Sequence, residues 1–173
     1  METRLRRSLV VSGLALGAMA IGQGANADAS DIVRWQTVVG IIQGNNVVGT
    51  GTGAVTGGPG PWSALGGHVK VDPITGHVDF GVNGLVFAGG NAIGGTGAVR
   101  QVKGTLVCDT DGSASGGSSV LVDTPLVELD DQGDARFNGN LGALPSVCSS
   151  EPDMAFLIRT GAGRWIANGA VLR

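Results

Sequence analysis

Tyrosine is absent from this chain of 173 residues, and with four Phe and three Trp the aromatics amount to 4%. That shortage argues against an extensive sugar-stacking platform. It also argues against an outer-membrane barrel, which carries aromatic girdles at both interfaces. Only 14% of residues are charged, with a net charge of −3, so long-range steering is weak. The acidic balance removes the basic footprint that nucleic acid or anionic lipid requires. Two histidines and two cysteines are all the chain offers of those types, which narrows acid–base and thiolate chemistry to a few positions. No segment after residue 27 keeps a 3.6-residue apolar period for three turns, so long amphipathic helices are not expected.

The first residues are distinctive. Arg4, Arg6 and Arg7 precede a short apolar run, "SLVVSGLALGAMAIG", and small residues follow at Ala25, Ala27 and Ala29. A basic start, an apolar segment too short for a comfortable span of about 20 residues, and an A-x-A site predict an export signal peptide. It covers residues 1–27, with cleavage after Ala27 or, alternatively, Ala29. Arg6-Arg7-Ser8-Leu9-Val10 resembles a twin-arginine export signal, although Leu5 departs from the usual Ser or Thr. A retained N-terminal anchor helix is the alternative to cleavage. The expected location is secreted or periplasmic, with no membrane span in the mature chain.

Residues 28–173 are expected to form one domain of 146 residues with net charge near −5, long enough to hide about 68–70% of its unfolded surface. Cys108 and Cys148 both lie in it, and an even count in an exported chain reads as a disulfide closing a 40-residue loop. Loop-closure entropy would make such a bridge worth about 4 kcal/mol.

Runs of Val, Ile, Leu and Thr recur between Gly, Asp and Pro punctuation, which is an all-β pattern. Strands are expected near 32–42, 47–55, 67–71, 78–87, 98–108, 119–129, 135–141, 154–160 and 165–172. Short antiparallel connections favour a single antiparallel β-sandwich or small β-barrel of eight or nine strands over a parallel α/β sheet. The segment "HVKVDPITGHVDFGV" is the most sharply specified. A four-residue loop over 73–76 pairs Val71 with Val78 and Lys70 with Asp79, and it puts Val69, Val71, Val78, Phe80 and Val82 on one face. The pair Arg-Trp occurs at Arg34-Trp35 and Arg164-Trp165, in runs expected to be adjacent strands. "GTGAV" also occurs twice, at 51–55 and 95–99, which raises an internal duplication as an alternative to coincidence.

Eight glycines fall within "VVGTGTGAVTGGPGPWSALGG" (47–67). A dinucleotide fingerprint is excluded because Thr56 stands where its third glycine belongs, and a P-loop because the Walker lysine is missing. Gly49, Gly51 and Gly53 alternate with Thr50 and Thr52, which predicts a strand with one bare face open to close approach, followed by a loop over 57–61.

His68 and His77 share the polar face of the hairpin with Lys70, Asp72 and Asp79, displaced along the strands by ~13 Å at about 3.3 Å per residue. They cannot chelate one ion, and a solvated face is the plain reading. A catalytic use of His68 or His77 with Asp72 or Asp79 requires another segment to cover that face. Asp109, Asp111 and Ser113 offer oxygen ligands for a weak calcium site, but Val120 stands where an EF-hand needs an acid; a plain turn is the competing reading. Glu128 and Glu151 have no partner carboxylate for glycoside hydrolysis. Trp35 and Trp165 read as core. Trp62, held in a glycine–proline loop, is either a lid on the sheet or a contact for a ligand.

These features predict an exported non-enzymatic β-domain acting as a surface, matrix or ligand-binding module, with an unidentified ligand or surface partner, no nucleic-acid partner and no cofactor. The alternatives are a secreted hydrolase or isomerase using His68 or His77 in a barrel mouth, and a weak extracellular calcium-binding module.

Overall fold

The computed structural model describes residues 32–150 and 152–172; the expected signal segment and Glu151 lie outside them. The β-rich punctuation of the sequence becomes β1 (Val33–Gly40), β2 (Val47–Val48), β3 (Val55–Thr56), β4 (Trp62–Ser63), β5 (Gly66–Val71), β6 (His77–Asn83), β7 (Val86–Phe87), β8 (Gln101–Cys108), β9 (Val120–Asp123), β10 (Val127–Glu128), β11 (Ala135–Asn140), β12 (Met154–Thr160) and β13 (Trp165–Leu172). One short helix, α1 (Val147–Ser150), interrupts them.

The main sheet runs β10-β8-β12-β13-β1-β5-β6-β11, with β9 also paired to β8. Every pairing along it is antiparallel. Its outermost strands, β10 and β11, are consecutive in sequence, joined by a turn in which Asp130 N–H donates to Asp134 O at 3.1 Å. Adjacent strands lie about 4.7–4.9 Å apart, so a flat sheet would carry its two edges far beyond the reach of that turn. The sheet therefore curls into a half-barrel.

Aromatic rings fill the hollow. Phe80 on β6 and Phe156 on β12, four strands apart along the sheet, approach to 5.5 Å between ring centroids, and Trp35 on β1 stands 5.9 Å from Phe156. All three are buried, among Val69, Val71, Leu106, Leu157 and Ile158. Gly104 on β8 leaves the space these rings use, since a Cβ there would stand against both Phe156 and Phe80.

The hairpin β5–β6 has the register that the alternation demands: Lys70 faces Asp79 and Val71 faces Val78, with His68 opposite Gly81. Val69, Val71, Val78, Phe80 and Val82 are buried, and Gly76 closes the turn at φ +74°. Replacing Val71 by Ala is expected to cost about 2–4 kcal/mol through lost core contact, while Lys70→Ala, at an exposed pair, should cost under about 1 kcal/mol. Chemical denaturation of the two variants measures both, and equal losses would contradict this division of faces. β1 and β13, which carry the two Arg-Trp pairs, are neighbours.

The stretch 47–55 is not one strand. Between β2 and β3 lies a 3-10 turn, Gly51–Gly53, with Gly49 at φ +82° and Gly51 at φ +55°. Alternating glycines satisfy a strand's period without specifying one, and here the left-handed backbone decides. The reason for a bare surface is close approach: Thr50 N–H donates to Ser119 Oγ at 2.9 Å, Ser119 N–H returns to Thr50 O at 3.1 Å, and a Cβ on Gly53 would stand against the Ser119 carbonyl. The second "GTGAV" also falls in turns. The expected strand 78–87 divides into β6 and β7 at Gly84, whose φ is +62°. Likewise 119–129 divides into β9 and β10 around Pro125, which has no N–H for the ladder.

Cys108, at the end of β8, and Cys148, in α1, form a disulfide across 40 residues. Both are fully buried. The bridge holds the connection between β11 and β12 against the sheet, where Leu141, Leu144 and Val147 pack on the core.

Candidate functional site

The outer face of β1, β5 and β6 carries the residues with most chemical capacity. Register sets Arg34 opposite Lys70, and Lys70 opposite Asp79. Together with Ile32, Asp72, Thr75 and His77 they line a shallow cleft of about 460 Å³. Asp79 is shared: its Oδ1 lies 3.4 Å from His68 Nε2 and its Oδ2 lies 3.7 Å from Lys70 Nζ. His77 turns the other way, with Nε2 3.2 Å from Asn138 Oδ1 on β11.

Asp72 acts within its own turn, where Oδ1 accepts N–H bonds from Ile74 at 2.9 Å and Thr75 at 3.0 Å. The Thr75 N–H and hydroxyl, foremost, hold this carboxyl below its usual range. The Thr75 hydroxyl oxygen accepts from the His77 backbone N–H at 3.3 Å. The four residues weighed for catalysis thus separate into a turn staple (Asp72), an exposed ion cluster (His68, Asp79) and a ring bonded to an amide (His77). His68 and His77 are exposed, and among the described residues no hydroxyl or thiol nucleophile is hydrogen-bonded to either ring.

Asp109, Asp111 and Ser113 do come together, and Asp153 joins them from beyond α1. One oxygen from each of the three carboxylates lies within 4.8 Å of the others. The same carboxylates already serve the loop: Asp109 Oδ2 accepts from Ala114 N–H at 3.1 Å, Asp111 Oδ1 from Ser113 N–H at 2.9 Å, and Asp153 Oδ2 from Thr110 Oγ1 at 3.1 Å. Asp109 is fully buried at φ +55°. Burial pushes its carboxyl up, but hydrogen bonds from the Ser115 hydroxyl and the Ala114 N–H outweigh this and leave it below the ordinary range. These three carboxylates could contribute oxygens to a hard cation, yet each already accepts hydrogen bonds from the loop that follows β8.

A third polar cluster had no signal in the sequence. On β8, β9 and β12, Asp123 pairs with Lys103 and with Arg159 Nη1 at 3.2 Å, and it accepts from the buried Thr105 hydroxyl at 2.6 Å. Burial raises the Asp123 carboxyl, and the hydrogen bonds of Lys103 and Thr105 with the charges of Lys103 and Arg159 bring it below its usual value. A folded-state value below the unfolded one contributes stability that is complete above the ordinary carboxylate range and is lost as pH falls through the lowered value. Unfolding measured from neutral to acid pH should therefore lose part of its acid-side slope in Asp123→Asn. An unchanged slope would contradict this assignment.

Of the two readings open for Trp62, lid or ligand contact, its surroundings fit the lid. It is only 3% exposed, lies 4.0 Å from Phe87 between ring centroids, and faces Phe87 in the β4–β7 pair. Its backbone N–H donates to Ile41 O at 2.7 Å, and Gly58 N–H donates to Trp165 O at 2.8 Å. The glycine–proline loop is thereby tied to the barrel end, and the ring is a lid rather than a stacking surface. Sequence alone could not tell these apart, because the partner ring is 25 residues away in a two-residue strand.

The fold and this geometry define an antiparallel half-barrel with a packed interior and polar clusters on its outer surface. Comparison with protein-family models, with curated proteins and with solved structures gives no match.

Proposed function

We propose that this chain is an exported, non-enzymatic β-domain that acts through its outer surface, as a surface, matrix or ligand-binding module. The observation that carries this reading is the filled interior: Phe80, Phe156 and Trp35 occupy the hollow of the curled sheet, where a barrel-mouth active site would need room. His68 and His77, the residues a hydrolase or isomerase would use, sit on the exposed face instead. A general base held in a water-excluding site is the usual arrangement of acid–base catalysis, and both hairpin histidines are exposed.

Thermal-shift screening of the purified protein against sugars, lipids and divalent ions, with generic ester and glycoside substrates assayed in parallel, tests the proposal. Stabilisation by a ligand without turnover is the expected result. Turnover lost in both His68→Ala and His77→Ala would replace it with the enzyme reading. A calcium-dependent rise in Tm abolished by Asp111→Asn would replace it with the calcium reading.

A further inference from the structure

Two cross-strand pairs in the main sheet set an arginine directly opposite a lysine: Arg159 faces Lys103 between β12 and β8, and Arg34 faces Lys70 between β1 and β5. Like charges in that relation repel and destabilise the pairing. In the first pair Asp123 relieves the repulsion, with one carboxylate oxygen on Lys103 Nζ and the other 3.2 Å from Arg159 Nη1. The second pair has no such bridge. Asp79 lies on the far side of Lys70, its Oδ2 3.7 Å from Nζ and its Oδ1 turned to His68, and among the described residues no carboxylate reaches Arg34. The place that Asp123 fills in one pair is therefore open in the other, inside the cleft of about 460 Å³ that Arg34 and Lys70 line.

The cleft also restricts what can fill it. Asp72 and Asp79 line it too, and two carboxylates beside two cations favour a ligand of one negative charge over a dianion. Each of these carboxylates has acceptor capacity left after the bonds it makes, so the remainder of the ligand must donate to them. Asp72 stands two residues beyond Lys70, ~7 Å along the chain at about 3.3 Å per residue. An α-amino acid is too short to reach from the cation pair to Asp72. A sugar ring bearing a carboxylate on one carbon and hydroxyls on the others spans it, with Ile32 as the apolar wall for its C–H groups.

We propose that Arg34 and Lys70 bind the carboxylate of a hydroxylated acid, the chemistry of a uronate sugar, while its ring hydroxyls donate to Asp72 and Asp79. Arg34 supplies the planar fork that pairs with both carboxylate oxygens, and Lys70 supplies a further charge-assisted donor. The inference rests on the reading that this chain acts through its outer surface, and it names the ligand chemistry for one patch of that surface.

Titration of the isotope-labelled protein with D-glucuronate, followed at the amides of Arg34 and Lys70 and at the Arg34 Nε–H, tests it, with D-glucose and sulfate as controls. Saturable shifts are expected with glucuronate, none with glucose, which lacks the carboxylate, and weaker binding with sulfate, which carries two charges. Arg34→Gln should weaken glucuronate binding about tenfold or more, while the Tm of the unliganded protein stays level or rises because the repulsion with Lys70 is gone. A glucuronate trisaccharide that binds more tightly than the monomer would identify a polysaccharide as the source of the acid, and equal affinity would identify the free acid. No saturable shift at Arg34, equal shifts with glucose, sulfate bound as tightly as glucuronate, or unchanged affinity in Arg34→Gln would overturn the proposal. Glucuronate shifts confined to another part of the outer surface would overturn this site and leave the outer-surface reading standing. Hydrolysis of the trisaccharide with the Arg34 shifts intact would do the reverse, keeping the site and overturning the non-enzymatic reading.

Discussion

Phe156→Ala should lower the unfolding free energy by about 3–5 kcal/mol, the range for removing a buried aromatic side chain. Phe156 is 1% exposed and touches rings from two other strands, Phe80 at 5.5 Å and Trp35 at 5.9 Å between centroids. Because those rings come from β6 and β1 while Phe156 comes from β12, the truncation would open a void where the walls of the half-barrel meet. A void of this kind loses contacts on every side, and close-packed surroundings relax only partly into it. Phe80→Ala should cost a similar amount. The double variant should show a coupling of about 0.5–3 kcal/mol, since the two side chains touch. Guanidinium unfolding of the two single variants and the double variant measures both quantities. Additive losses would mean that the rings do not meet, and with them would go the filled interior.

Trp62→Ala should be of the same order, about 3–5 kcal/mol, although the glycine–proline loop that holds it leaves lid and ligand contact both open in the sequence. The ring is buried against Phe87 at 4.0 Å, and the backbone on either side is held: Trp62 N–H on Ile41 O at 2.7 Å and Ala88 N–H on Pro61 O at 3.0 Å. Losing the indole would unseat the strap that closes this end of the half-barrel. Thermal unfolding checks the prediction. A Tm close to that of the unaltered protein would show that the ring is free to contact a ligand, and the loop would return as a candidate binding surface.

Local alternation made the hairpin β5–β6 legible to the residue, because Val and Phe at every second position leave one register that buries them all. β12 and β13 were legible for a related reason: the apolar runs Met154–Thr160 and Trp165–Leu172 are separated by Gly161-Ala162-Gly163, a turn with few other readings. The stretch around Gly51 was not, since a Gly–Thr alternation has the period of a strand without its burial signal, and a positive φ leaves no trace in composition. The strand breaks at Gly84 and Pro125 were hidden because apolar residues stand on both sides of each, Val82 and Leu85 in one case, Val122 and Leu126 in the other.

The polar clusters were harder still. Asp109 and Asp111 meet Asp153, and Asp123 meets Arg159, 36 residues away, only because β8 lies between β9 and β12. No local pattern encodes that adjacency. Arg34 reaches the hairpin face through the β1–β5 pairing for the same reason. The face itself was legible from the hairpin, and the cleft on it required the neighbouring strand.

The central claim is that the half-barrel is packed solid, so that whatever this protein recognises is met from outside. Xenon titration followed through the methyl resonances of Val69, Leu106 and Ile158, all buried in the core, tests it most directly, because dry apolar voids take up xenon. The account predicts no saturable shift at these methyls. A saturable shift centred on them would reveal an internal chamber and return the barrel-mouth enzyme to first place.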